Sequence, residues 1–261
     1  VETLIVERDG AGVVTVTMNR PERKNAANTA MLSELRDTFE AVERSPGDRV
    51  LILTGAGDTF CSGADLGDPA GPATDVRQPA LNRMRRLGDV ALALHRLTKP
   101  TIAAVDGYAV GAGLSLALGC DLIVASDRAK LSLIFSKRGL SLDNGASWLL
   151  PRLVGLHKAK EIALLADMWS GEQAAALGLV NKVVPADGLQ AAAREWADRL
   201  AAGPPLALSM TKTLLHEAMS SSLAEAVENE ARCQAVNFAS EDTAEAMSAF
   251  SQKREPKFVG R

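Results

Sequence analysis

Residues Gly107–Cys120 read GYAVGAGLSLALGC, and an earlier stretch, Phe60–Leu66, reads FCSGADL. Each sets a small residue, Ala112 or Ala64, beside glycine in a turn, so that backbone N–H groups are left free to face a ligand. After Gly111 and Gly113 comes the apolar run Leu114–Leu118 and then a polar exit at Asp121. That pattern predicts a buried helix beginning at Ala112, whose N-terminus adds partial positive charge to its unpaired donors. Two such loops can form an oxyanion hole, whereas one alone would serve equally for tight packing of helix on strand.

Outward from this stretch the chain alternates strand and helix. Leu4–Val6 and Val13–Met18 alternate apolar and polar residues, which predicts two strands with Asp9-Gly10 as the hairpin signal. Met31, Leu32, Leu35, Phe39 and Val42 recur at helical spacing and predict a helix from a Thr29 cap to Arg44. A buried strand follows at Arg49–Thr54, then a helix through Leu92, Leu94 and Leu97, and strands at Thr101–Val105 and Leu122–Val124 flanking the Leu114–Leu118 helix. This order favours right-handed βαβ crossovers. Beyond Asn144 the reading is mainly helical, with Ala159–Ala166, Glu172–Leu177, Leu189–Ala201, Leu206–Met219 and Leu223–Phe238, and a strand at Leu179–Val184. Periodicity therefore gives α/β followed by α.

Composition narrows the function classes. The 261 residues carry 29 basic and 32 acidic side chains, a net charge of −3, which provides no global field for nucleic acid or an anionic membrane. Cys61, Cys120 and Cys233 are the three cysteines, without a CxxC pair, so neither a disulfide framework nor a zinc site is expected. A reducing cytoplasm fits this usage, and VETLIVERDG at the start shows no signal or transit peptide. The weakly charged stretch Pro100–Ser126 is broken by Asp106, Asp121 and glycines, where a membrane span needs roughly 20 mostly apolar residues. Gly67–Pro79, GDPAGPATDVRQP, reads as a mobile surface loop of the kind that covers sites.

Two other chemistries fit poorly. Gly111-Ala112-Gly113 opens a dinucleotide fingerprint, but Leu116 stands where a Gly or Ala is needed. Gly113-Leu114-Ser115-Leu116-Ala117 approaches a nucleophile elbow yet ends in Ala, and no spacing selects His95, His157 or His216 as its base.

The chain resembles the crotonase, or enoyl-CoA hydratase/isomerase, superfamily. The matching segments are NRPERKNA at Asn19–Ala26, FCSGADL, KPTIAAVDGYAVGAGLSLALGCD at Lys99–Asp121, GLSLDNGASWLLPRLVG at Gly139–Gly155, AAALGLVNKVVP at Ala174–Pro185 and the tail FSQKREPKFVGR. They keep the family's order over nearly the whole chain. The resemblance implies an α/β fold with a crotonase-like ββα spiral core at residues 1–200, holding the CoA and catalytic sites. It implies a C-terminal helical trimerisation region at 201–261, and hence a homotrimer or hexamer.

It also implies site residues. Ala64 and Ala112 become the oxyanion donors for a thioester enolate. The two glutamates of the family's hydratases fall at Ser115 and Phe135, so both carboxylates are absent. Asp143 falls where some members, including the phenylacetate-pathway ring-opening isomerases and aryl-CoA dehalogenases, hold a catalytic aspartate. Read by itself, Asp143-Asn144-Gly145 would be a turn or cap before the next helix. As a proton shuttle, Asp143 needs burial to raise its pKa, with Phe135, Leu140, Leu142 and Trp148 as candidate apolar surroundings. Trp148 is read chiefly as a core residue. For coenzyme A, which enters as part of the substrate with no separate cofactor, the resemblance implies Arg23, Lys24, Ala26, Ser62, Asp65 and Leu66, with Lys253 and Phe258 from the tail.

The reading is an acyl-CoA enzyme that moves a double bond or rearranges a ring through an enolate, with Asp143 as acid/base. An enoyl-CoA hydratase of fatty-acid beta-oxidation is the alternative within enzymes. A CoA-binding or RNA-binding scaffold without catalysis is the alternative outside them, although no nucleic-acid or membrane partner is expected from the charge.

Overall fold

The computed structural model describes residues 2–71 and 79–261. Two sheets organise it. The larger is built from β1 (Leu4–Arg8), β2 (Val13–Met18), β3 (Val50–Gly55), β4 (Thr101–Val105), β6 (Leu122–Ser126) and β9 (Lys182–Val184), in that spatial order. The hairpin β1–β2 is antiparallel and every later pairing in this sheet is parallel. The smaller sheet orders β5 (Tyr108–Val110), β7 (Lys130–Ser132) and β8 (Trp169–Ser170).

The chain climbs through these sheets in repeated turns of strand, short strand, helix. The first turn runs from β2 through a bridge residue, Ala27, into α1 (Thr29–Arg44); the second from β3 through Cys61 and Ala64 into α2 (Ala80–Arg96). The third is β4, β5 and α3 (Ala112–Gly119); the fourth is β6, β7 and then α4 (Ala146–Val154) and α5 (Leu156–Leu165). Stacking is visible in the second layer, where Ala27 pairs parallel with Ala64, Cys61 with Ala109, and β5 with β7. Each turn thus sets its strand-to-helix loop on that of the turn before.

Continuous apolar runs such as Val50–Leu53 follow from burial on both faces of the large sheet. Leu51 and Leu53 join the main core with Phe39, Phe60, Leu94, Leu114 and Leu116. Val50 and Ile52, on the opposite face, pack with Ile102, Val124, Leu189, Ala193 and Ala197, so α7 (Leu189–Ala201) covers that side. The last helices, α8 (Pro205–Ala218), α9 (Leu223–Phe238) and α10 (Glu241–Gln252), follow it, and α6 (Gly171–Ala176) precedes β9.

Several local expectations change. The cap of α1 is Asn28, whose side chain accepts from Met31 N–H at 2.9 Å; Thr29 instead gives its N–H and hydroxyl to Asp68. Helices α4 and α10 form where periodicity predicts none, α4 despite Pro151 inside it. The loop expected over Gly67–Pro79 falls mostly on residues 72–78, outside the described residues. Among the described residues no helix is long and apolar enough to cross a membrane.

Candidate active site

Hydrogen-bond geometry leaves the two expected donors unused among the described residues. Ala27 donates to Gly63 O at 2.8 Å and accepts from Asp65 N–H at 2.9 Å, so the N–H of Ala64, between them, points away from its ladder partner. Ala112 is the first residue of α3, and the first N–H groups of a helix have no acceptor within it. Gly111 before it has φ 54°, a left-handed conformation that suits glycine, and supplies no capping side chain. Backbone hydrogen bonds hold the two loops together. Cys61 N–H donates to Tyr108 O at 2.9 Å, and Val110 N–H donates to Cys61 O at 3.0 Å. A Cβ placed on Gly111 would lie 3.9 Å from Gly63 Cα and 3.9 Å from the Phe135 ring. Ala64 and Ala112 therefore present free N–H groups from successive turns of one stack.

Asp143 comes from the next turn, in the loop between the 3-10 helix Ile134–Arg138 and α4. Its carboxyl has one partner among the described residues, Asn144, whose Nδ2 donates to Asp143 Oδ1 at 3.0 Å. Burial pushes the Asp143 carboxyl above its ordinary value, and the Asn144 hydrogen bond opposes that shift. Asn144 is 7% exposed and has φ 47°, and its neighbour Gly145 caps α4. No expectation from sequence included Asn144 as Asp143's partner. Its one signal is an Asn before Gly, a residue type that tolerates the left-handed region.

Asn144 and Ser115 share the wall of a cavity of about 410 Å3 between α2, α3 and α4, with Leu92, His95, Leu116 and Trp148 among its apolar and aromatic lining. Ser115 gives its hydroxyl to Gly111 O at 3.2 Å inside α3, so it is neither at a strand-to-helix elbow nor paired with a base. Phe135 is buried, its ring 3.9 Å from where a Cβ on Gly111 would stand. Of the expected apolar surroundings, Phe135 and Leu142 pack on the core while Leu140 is 55% exposed. Trp148 is not a core residue: it is 38% exposed, edge-on to His95 at 5.2 Å, with the Arg152 guanidinium 3.9 Å over its ring. His95 in turn stacks on His216 of α8 at 4.4 Å. Cys61 beside the oxyanion loop is fully buried, which pushes its thiol up to about 11 and leaves no thiolate near neutral pH.

The residues expected to meet coenzyme A divide into two groups. Arg23, Lys24, Ala26, Ser62, Asp65 and Leu66 lie together where the first two turns stack. Ser62 N–H donates to Lys24 O at 3.0 Å, Asp65 pairs with Arg20 at 2.9 Å, and Leu66 is 65% exposed. Lys24 is exposed, left-handed at φ 51°, with its ammonium 5.2 Å over the Tyr108 ring. Asn25 beside it is fully buried and ties this loop to Ala56 O and Thr59 O at 2.9 and 2.6 Å.

The tail is elsewhere. Arg49, just before β3, donates to Phe258 O at 3.0 Å, while the oxyanion loop follows the far end of that strand. Six residues of strand separate the two by roughly 20 Å. Lys253 closes α10 with an exposed side chain. Within this chain neither Lys253 nor Phe258 is brought to the oxyanion loops. Among the described residues no group of three His, Cys, Asp or Glu could hold a metal ion.

The family model for enoyl-CoA hydratase/isomerase matches residues 8–261. The chain is 40% identical over 254 residues to 1,2-epoxyphenylacetyl-CoA isomerase of Escherichia coli (strain K12), covering 96% of each. It is 36% identical over 256 residues to the human mitochondrial enoyl-CoA hydratase domain-containing protein 2, covering 96% of this chain and 86% of that one. The crystal structure of an enoyl-CoA hydratase from Bacillus anthracis superposes with a TM-score of 0.94 at 30% identity, over 99% of this chain and all of that one. The stacked ββα turns are the crotonase fold, and this chain is an enzyme of the enoyl-CoA hydratase/isomerase family, in the crotonase superfamily.

Proposed function

We propose that the protein isomerises acyl-CoA thioesters, with Asp143 as acid/base and the N–H groups of Ala64 and Ala112 as the oxyanion hole. The Asp143 carboxylate takes a proton from the acyl chain, and the electron pair moves onto the thioester oxygen as an enolate. Asp143 then returns that proton to a different carbon, so the double bond moves with no net gain or loss of atoms. Each oxyanion donor contributes about 2.7–4 kcal/mol of barrier lowering in acyl systems.

The observation that carries this reading is the setting of Asp143: a partly buried carboxyl with a single hydrogen-bond partner among the described residues, on the turn after those that supply Ala64 and Ala112. Burial brings a carboxyl towards the pKa at which it both accepts and returns a proton near neutral pH. Hydration by two glutamates is disfavoured because Phe135 has no carboxylate and the Ser115 hydroxyl is engaged by Gly111 O. The E. coli relative carries the name of an epoxyphenylacetyl-CoA isomerase, and the cavity beside Asn144 and Trp148 suits a compact apolar or ring-bearing acyl group. Arg23 and Lys24 would meet the nucleotide end of CoA. Lys253 and Phe258 would do so only from another subunit of a trimer, for which the exposed Leu223, Phe238 and Phe250 of α9 and α10 offer apolar surface.

The test is a spectrophotometric assay of wild-type and Asp143→Asn protein on 3-enoyl-CoA, 2-enoyl-CoA and an epoxy-aryl-acyl-CoA. Isomerisation that falls at least 100-fold in the variant, in the range expected for loss of a general acid/base, supports the reading. Hydration that survives the substitution returns the chain to the hydratases.

A further inference from the structure

Asn144 is an unusual choice for its place. Its backbone sits at φ 47°, which disfavours most side chains other than glycine and costs a little even for asparagine. Its side chain is buried, yet among the described residues the amide makes one hydrogen bond, from Nδ2 to Asp143 Oδ1 at 3.0 Å, and its Oδ1 is buried without a partner. A glycine would take the same backbone conformation and leave no orphaned acceptor. The buried amide therefore carries two local costs, and the one interaction set against them is the contact with the Asp143 carboxyl.

We infer that Asn144 is the positioning residue of this site: its amide holds Asp143 Oδ1 and leaves Oδ2 as the oxygen that takes and returns the proton. This rests on the assignment of Asp143 as acid/base. The carboxyl has no other hydrogen-bond donor among the described residues, and burial and Asn144 are the two influences on its titration. His95 is the titratable group lining the cavity that Asn144 borders, and burial holds it below its ordinary value. Without the amide, the carboxyl could rotate about its Cβ–Cγ axis and exchange its two oxygens. A carboxylate accepting a hydrogen bond is also favoured over its acid form, so the amide restrains the rise that burial produces.

Asn144→Gly is the informative variant, because glycine accepts φ 47° and removes only the side chain. Asn144→Asp is the second, since an ionised carboxylate there cannot donate. Two readouts are needed. Carbon-13 NMR titration of the side-chain carboxyls, with the Asp143 signal assigned by its absence in Asp143→Asn, reads the coupling independently of any reaction. Steady-state kinetics on the isomerised thioester reads its use. In both variants the Asp143 signal should titrate at higher pH than in wild type, and the acid limb of kcat/KM should move up with it. In Asn144→Gly kcat should fall on the order of tenfold, the worth of a hydrogen bond to a charged group, with KM little changed. An Asp143 titration that stays in place in folded Asn144→Gly protein would overturn the inference. Full isomerisation by Asp143→Asn would overturn the parent reading instead, whatever the NMR titration shows, and the positioning role would fall with it.

Discussion

Alanine at Gly113 tests whether close approach of the two glycine loops is what makes the oxyanion hole. Gly113 is helical, so a methyl group there meets no backbone strain, only neighbours. Its Cβ would stand 2.4 Å from Cys61 O and 2.7 Å from Cys61 Cβ, where ordinary contact begins at 3.4 Å. The carbonyl in the way accepts the Val110 N–H at 3.0 Å, one of the bonds that joins the loops, so neither side can yield alone. Relieving the clash moves the loop carrying Ala64 by about 1 Å relative to α3, and misplacement of that size costs on the order of 100-fold in rate. Overpacking of a dense core costs about 1–3 kcal/mol, against which the helix gains roughly 1 kcal/mol from replacing glycine. A net loss of up to about 2 kcal/mol lowers Tm by as much as roughly 4–8 °C for a chain of this size. Binding of acetoacetyl-CoA reports the hole directly, because its enolate absorbs in the near ultraviolet and is favoured where two donors meet its oxygen. The variant should bind the thioester with much less enolate than wild type. Wild-type enolate binding together with wild-type Tm would refute the reasoning, since the loops would then have absorbed the methyl group without separating.

Three further outcomes are expected. Gly88 lies within α2 with nothing within 4 Å of an added Cβ, so Gly88→Ala should stabilise the protein by about 0.5–1 kcal/mol in thermal or urea unfolding. Burial raises the folded-state pKa of Asp143 above its unfolded value, so the native state holds the extra proton between the two. Stability from this group is therefore greatest below the ordinary carboxylate range and falls as pH rises through the folded value. Asp143→Asn should accordingly exceed wild type in Tm at neutral pH and converge with it in acid; a Tm difference independent of pH would contradict the burial argument. Lys212 of α8 is 9% exposed, pairs with Asp121 at 2.8 Å and donates to Lys99 O at 3.0 Å, so Lys212→Ala should cost roughly 3 kcal/mol in chemical unfolding.

The sequence announced what depends on local chemistry. Glycines at 111 and 113 before an apolar run marked the start of α3, and the uninterrupted Val50–Leu53 and Thr101–Val105 marked strands buried on both faces. It was silent where tertiary contact decides. β5, β7 and β8 span three residues or fewer and exist because a neighbouring turn offers a ladder. Helix α4 forms around Pro151, which a periodicity rule treats as a stop and which has no N–H to give Ser147 O, because burial of Ala146 and Leu150 in the main core outweighs that lost bond. Asn28 displaced Thr29 as a cap because Thr29 finds a better partner in Asp68, 39 residues away. Trp148 lies at a cavity rim because α4 sets it against His95, a contact that no spacing within α4 encodes.

The same distinction explains how the site divides between backbone and side chain. In a stack of ββα turns each strand-to-helix loop falls on the loop before it, so position is a property of the ladder: Ala27 pairs with Ala64, Cys61 with Ala109, and β5 with β7. Groups that must sit at a fixed point, the two N–H donors, are drawn from that backbone and need only small residues around them. On the proposed mechanism the acid/base demands a side chain instead, for which the next turn offers Asp143, outside the paired ladder and hydrogen-bonded by the neighbouring amide of Asn144. Side chains can change there without moving the donors. Ser115 and Phe135 illustrate that freedom: one bonds to its own helix and the other fills space beside Gly111, while the Ala64 and Ala112 donors stay free. On the proposed assignment the N–H donors depend on the backbone ladder rather than on the side chains at 115, 135 and 143, and the choice of reaction would follow from which of those positions carries a carboxylate.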